Sequence, residues 1–283
     1  MAHLRAQRNV SLVILIALIP VASGTGNREA ACSEPLRVLI LSGKHNHNWQ
    51  ETTPLLKRIY EESGRFVVDV TNDPASCNAE TFASYDVVVS NWTSWPSVNR
   101  EWGEETEKAF LEFVRNGKGF VLFHAASATF DTWTDFQQLI GATWRKGEGG
   151  TGHGQIHTFE VIIADKDHPI TRGMNDFFIT DELWDNMGTQ PNIHVLCTAF
   201  SSKETKGSGK DEPVAICTQF GKGRCFNLVL GHDTKAMENV NWKMLMLRGT
   251  EWAATGSVIR PNVSESCSGD VGILKGEAER SGQ

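Results

Sequence analysis

What this 283-residue chain lacks narrows its chemistry first. It has no CxxC pair, which excludes a zinc ribbon: Cys32, Cys77, Cys197, Cys217, Cys225 and Cys267 are scattered along the chain. It has no GxSxG, no P-loop and no HExxH. Those absences remove the serine elbow of α/β-hydrolases, the triphosphate cradle and the helix-borne zinc pair. It has no broad basic stripe, and its formal net charge is −7, so nucleic acid is not an expected partner. Internal repeats and long low-complexity segments are also missing. A hydrophobic content of 40% and a charged content of 22% are ordinary for a globular protein.

No apolar run reaches the length of a membrane span. The longest begins at Ser11 and ends at Ala22, about 12 residues against about 20 for a span. Arg5 and Arg8 precede it, and Ser23 and Gly24 follow. This is the pattern of a signal peptide over residues 1–24, with export to a periplasmic or extracellular space and membrane contact only during export. Residues 25–35 read as a polar linker, 36–256 as the folded domain, and 257–283, rich in Ser, Gly and Glu, as a disordered tail. In an oxidising compartment Cys32 and Cys267, which flank the domain, would be placed to pair. Cys197, Cys217 and Cys225 lie in strand-like runs and read as small buried hydrophobes. Asn91-Trp-Thr and Asn262-Val-Ser fit the glycosylation sequon.

Within the domain, apolar runs alternate with helical patterns. Strands are predicted at 37–42, 66–70, 86–90 and 119–124, with helices at 51–63, near Glu80, at 101–116 and at 133–140. Four such alternations imply βαβ units and a parallel sheet. After a glycine-rich stretch at 146–154 the rhythm changes to strand-like runs at 156–164, 193–199, 213–219 and 224–230. A helix over 241–254 closes the domain.

The chemistry-bearing residues cluster at the ends of these runs. His124 ends the buried run Gly119-Phe-Val-Leu-Phe and is followed by Ala125 and Ala126, an elbow-like setting with a histidine where hydrolases place a nucleophile. This favours a metal or acid–base site over acyl-enzyme chemistry. The loop after the first strand carries His45 and His47; two apart, they point in opposite directions if extended, and His47 is favoured to face the site. Gly147, Gly149 and Gly152 match GxGxxG, but they precede a strand and open no helix, so no nucleotide cofactor is expected. That stretch instead carries His153 and His157, an H-x3-H pair. The run ending in Gly231-His232-Asp233 repeats the layout that delivers His124. Asp181 and Glu182 sit among aromatic residues, where one carboxylate would be a metal ligand or a general base. His168 reads as part of a turn capped by Asp167 or by itself, and His194 as a strand residue. Trp49, Trp92, Trp95, Trp133 and Trp184, read as exposed, offer faces on which sugar rings would stack.

Taken in order, Gly43-Lys-His-Asn-His-Asn-Trp-Gln-Glu-Thr-Thr-Pro54, Gly117 to Ala126, Gly152 to Phe159, His168-Pro-Ile-Thr171, Asp181-Glu-Leu-Trp184 and Gly221 to Asp233 resemble the ThuA-like family, named for a trehalose-utilisation protein. The resemblance spans about residues 36–254. It implies a fold similar to class I glutamine amidotransferases: α/β, flavodoxin-like, a three-layer sandwich around a mostly parallel central sheet. It also implies a link to sugar metabolism, often through 3-keto-sugars. The family's histidines match His47, His124, His153, His157 and His232, and its acid pair matches Asp181 and Glu182. The amidotransferases of similar fold would carry a nucleophilic cysteine on the elbow; here His124 ends that strand, which speaks against glutamine hydrolysis.

The resulting expectation is an exported enzyme acting on a sugar or 3-keto-sugar by metal-assisted hydrolysis, elimination or isomerisation. His124, Asp181 and Glu182 would be catalytic. His47, His124, His153, His157 and His232 would supply ligands to zinc, manganese or iron. Trp49, Trp133, Trp184 and Asp233 would hold the substrate, a small carbohydrate. The alternative is a non-catalytic sugar-binding or auxiliary protein. Whether the chain forms a homo-oligomer stays open.

Overall fold

Apolar runs too continuous to face water end up in a sheet covered on both sides. The computed structural model describes residues 34–97 and 99–259. The expected signal peptide, Cys32, Cys267, Asn262 and all but three residues of the expected tail lie outside the described residues.

A nine-stranded sheet is built from β1 (Leu36–Leu41), β2 (Phe66–Thr71), β3 (Val87–Ser90), β4 (Gly119–Phe123), β5 (His157–Ile163), β6 (Phe177–Asp181), β7 (His194–Ser201), β8 (Lys210–Phe220) and β9 (Gly223–Leu228). Their spatial order is β2-β1-β3-β4-β9-β8-β7-β5-β6. From β2 to β9 neighbouring strands run parallel. Beyond β9 every pairing is antiparallel. The expected doubly wound α/β fold is therefore present, and the change of rhythm after the glycine-rich stretch is its antiparallel extension.

Strand alternation divides the core. On β1, Val38 and Ile40 face one helical layer while Leu39 and Leu41 face the other; Val121 and Phe123 part from Phe120 and Leu122 on β4 in the same way. The first layer holds α1 (Trp49–Glu62), α5 (Thr234–Met237) and α6 (Val240–Thr255). The second holds α2 (Ala79–Ala83), α3 (Glu104–Arg115) and α4 (Thr134–Ile140).

Three details differ from the sequence reading. Helix α3 starts at Glu104, not Glu101, because Gly103 takes a positive φ of 86° at its N-cap. The His168 turn is capped by Asp165, whose Oδ1 accepts from the amides of Asp167 and His168. Asn91 is buried, and its amide donates to the hydroxyls of Thr52 and Thr53. Its side chain is thus unavailable to a glycan in the folded protein.

In a sheet of order 2-1-3-4, connections leave β1 and β3 in opposite directions, which opens a crevice at the carboxyl edge. The loops after β1, β4 and β9 all emerge on that edge and carry His47, His124 and His232.

Candidate metal centre

The site begins with an unusual backbone. His124, the first residue after β4, has φ of 43°, in the left-handed region that costs a non-glycine residue about 1–3 kcal/mol. This turns its ring back into the protein, where it is 1% exposed. Its Nδ1 lies 3.0 Å from the Val229 carbonyl. A carbonyl only accepts, so Nδ1 carries the hydrogen and Nε2 is left with a lone pair in the neutral ring. Nε2 is buried and makes no hydrogen bond, although Oε2 of Glu182 is 3.4 Å away. Two acceptors facing each other out of water is an arrangement that a shared proton or cation resolves.

His232, just beyond β9, brings a second orphan: its Nδ1 is buried and unpaired, 3.8 Å from Oδ2 of Asp233. His47 packs against both, with ring centroids 5.0 Å from His124 and 4.4 Å from His232, which are themselves 5.3 Å apart. Its backbone amide donates to Nδ1 of His45 at 2.9 Å. Both histidines of that loop therefore contribute, one as a support and one as a donor. His47, His124, His232 and Glu182 each present one ligand atom, and these atoms all lie within 4.8 Å of one another. With ligand bonds of about 2 Å, small side-chain adjustments suffice to place them around one cation.

The electrostatics favour the ligating forms. Burial, and then the neighbouring imidazoles, push the His45 ring down to about 3 and the His47 ring down to about 4. Both are neutral at physiological pH, as a ligand or its support must be. Burial would raise the Glu182 carboxyl, but a proton shared with His124 Nε2, then Trp184 and His153, outweigh it and hold it down to about 2. Trp184 Nε1 donates to Glu182 Oε2 at 2.9 Å, and His153 Nδ1 lies 2.9 Å from Oε1.

The adjacent acids divide their work. Asp181 is 1% exposed; Oδ2 accepts from the Gly231 amide at 2.6 Å, while Oδ1 accepts from His232 at 3.1 Å and Glu182 at 2.8 Å. Burial pushes its carboxyl up, while His124 and the three amides draw it down. It fixes the loop that presents His232 and is not among the converging ligand atoms.

Of the five histidines expected to converge, three do. His153 touches the group from outside through Glu182. His157 starts β5, with Nδ1 2.8 Å from the Gln155 carbonyl and its ring against Phe159, and takes no part. The tryptophans also sort differently. Trp184 is buried at the site, its ring 4.7 Å from His124. Trp133 is 5% exposed and packs on Phe136 under the Arg100 guanidinium, so it offers no open face. Trp92 is likewise buried, against Trp102 and Phe130. Trp49 opens α1, half-buried and outside the lining of the cavity described next. Asp233 caps α5 by accepting from the Ala236 amide at 2.9 Å.

A cavity of about 130 Å³ adjoins the cluster, and its lining includes His47, His153 and Glu182 together with Trp95, Trp144 and Trp184. Trp144 was missed from sequence. Its only signal was an aromatic residue just ahead of the glycine-rich stretch.

Comparison with known proteins bears on the family and the fold. A family model described as trehalose utilisation, ThuA, matches residues 37–253. The structure is similar to a ThuA-like protein from Parabacteroides merdae, with 34% identity, a TM-score of 0.73, and coverage of 81% of this chain and 93% of that one. It also shares its fold with a ThuA-like protein from Bacteroides uniformis at 19% identity, with a TM-score of 0.60 and coverage of 81% and 95%. No curated protein matches the chain. The match over nearly the whole described region, together with the relative at 34% identity, shows that this chain belongs to the ThuA family.

Proposed function

We propose that this protein is an exported, metal-dependent enzyme acting on a sugar or 3-keto-sugar by hydrolysis, elimination or isomerisation. The observation that carries the metal reading is the meeting of His47, His124, His232 and Glu182, with buried, unpaired nitrogens on His124 and His232. Mixed imidazole and carboxylate donors suit zinc, manganese or iron. A divalent cation held by these four would act as a Lewis acid on a carbonyl or hydroxyl oxygen.

The chain's own residues supply the rest. Nδ1 of His153 is 2.9 Å from both Glu182 Oε1 and the Gly154 carbonyl, so it carries the hydrogen and leaves Nε2 as a proton acceptor. His153 lines the same cavity as Glu182. It serves as the general base in this reading, not as a ligand, while Asp181 positions His232. The sugar reading rests on the family's trehalose-utilisation description and on the aromatic walls of the cavity. The export reading rests on the pattern of residues 1–24.

Metal analysis of protein purified without chelator tests the centre. A stoichiometric divalent metal is expected, lost together with turnover of 3-keto-sugars on chelation. Protein that binds neither zinc, manganese nor iron on titration would sink the metal reading. Sugar binding without turnover of any sugar would leave a non-catalytic binding protein.

A further inference from the structure

The cavity beside the histidine cluster has a composition that selects its occupant. The rings of Trp95 and Trp144 meet at 5.5 Å, and those of Trp144 and Trp184 at 4.6 Å, both edge to face. Ala125 and Ala128 supply only methyl groups to the lining. The polar groups (Asn46, His47, His153 and Glu182) complete it. At about 130 Å³ the space is well below the roughly 300–1,000 Å³ of pockets for drug-sized ligands, so it admits one ring. Lys146, whose Nζ lies over the Trp95 ring, is committed elsewhere: it donates to the Pro96 carbonyl at 2.7 Å. With the acidic side chain of Glu182 and no Lys or Arg in the lining, an anion is disfavoured. A neutral ring with an apolar face and a polar edge satisfies both kinds of lining group.

We propose that this cavity is the subsite for a single neutral pyranose ring, stacked on Trp144 with its hydroxylated edge toward His47, His153 and Glu182, and that Ala125 and Ala128 set its size limit. The proposal rests on the carbohydrate reading above and deepens it. Both alanines follow His124 on one short turn, so the element that presents the imidazole also sets the depth of the ring site. Replacing the Ala128 methyl with an isobutyl group would fill space that the ring needs, without touching a ligand atom.

The test uses the full chain, zinc-loaded or chelator-treated, with methyl glycosides of glucose, galactose and mannose as probes and with adenosine and inorganic phosphate as competitors. Tryptophan emission and calorimetry read binding. At least one glycoside should bind saturably. Ala128→Leu should abolish that binding while leaving the zinc titration unchanged. Trp144→Ala should weaken it about tenfold. If Ala128→Leu does not fold, Trp144→Ala, in a half-buried wall, decides the matter alone. Folded variants that bind glycoside like the wild type overturn the proposal. So does preference for adenosine or phosphate, or failure of all three glycosides to bind. Glycoside binding by a protein that takes up no metal would sink the metal centre alone and leave the ring subsite standing.

Discussion

Two groups of histidines among the described residues differ in one respect that separates a site from a support. At the carboxyl edge, His124 and His232 have buried ring nitrogens with nothing to bond to. On the antiparallel side, His168 and His194 form a second group, with ring centroids 5.6 Å apart, and its polar atoms are matched. His168 Nδ1 accepts from the Ile170 amide at 3.3 Å, and its Nε2 lies 3.9 Å from Cys217 Sγ. His194 Nε2 meets Asp165 Oδ2 at 2.7 Å. Its side chain is 55% exposed, where water compensates whatever the protein does not. Proximity of histidines alone therefore says little. Burial without partners is what marks the first group for a ligand.

Changing Glu182 to Gln should break the first group most severely. It removes the one charge among three imidazoles, and zinc affinity should fall by more than about a hundredfold, read by competition with a chromophoric chelator. Unchanged affinity would mean that the carboxylate is not a ligand. Asp181→Asn acts through His232, since an amide nitrogen cannot accept from the Gly231 or His232 backbone. Zinc affinity should drop about tenfold, and the d–d spectrum of a cobalt-substituted protein should shift. A stability loss with an unaltered spectrum would reduce Asp181 to a purely structural residue.

Acid should separate the two groups in a graded way. The unfolded chain takes up protons on His45 and His47 below about 6.5, while the folded chain resists until about 4 at His47 and about 3 at His45. In the presence of chelator, stability should therefore fall as pH drops from 6.5 toward 4 and level off once both rings are protonated. Glu182, at about 2 in place of 4.5, adds a further loss between those values. Melting temperatures across this range should slope less steeply in His47→Gln, where His45 still resists protonation, and keep their slope in His194→Gln. The smallest effect belongs to His194→Gln itself. Loss of its exposed pair with Asp165 should cost under about 1 kcal/mol and leave zinc affinity untouched. A changed affinity there would erase the distinction between the two groups.

The parallel half of the fold was legible because a strand buried on both faces must be apolar throughout, as Leu36–Leu41 and Gly119–Phe123 are. His47, His124 and His232 were legible because they follow such strands, where the fold itself supplies the crevice. His157 misled because an H-x3-H spacing gives a shared direction only on a helix, and here it enters a strand. The tryptophans misled because a residue type does not report its burial: Trp92 and Trp133 look no different in sequence from Trp95, yet they are core.

The sequence by itself determined the alternation of strands and helices, and with it which loops share an edge, because periodicity and strand length are local properties. It could not assign Asp181 and Glu182, adjacent residues of similar chemistry. Only the tertiary structure decided that one accepts amides from Gly231 and His232, some 50 residues away, while the other faces His124. The physical reason is that a carboxylate's role is set by what desolvates it and what donates to it. Those partners come from remote segments brought together by the closing of the sheet edge.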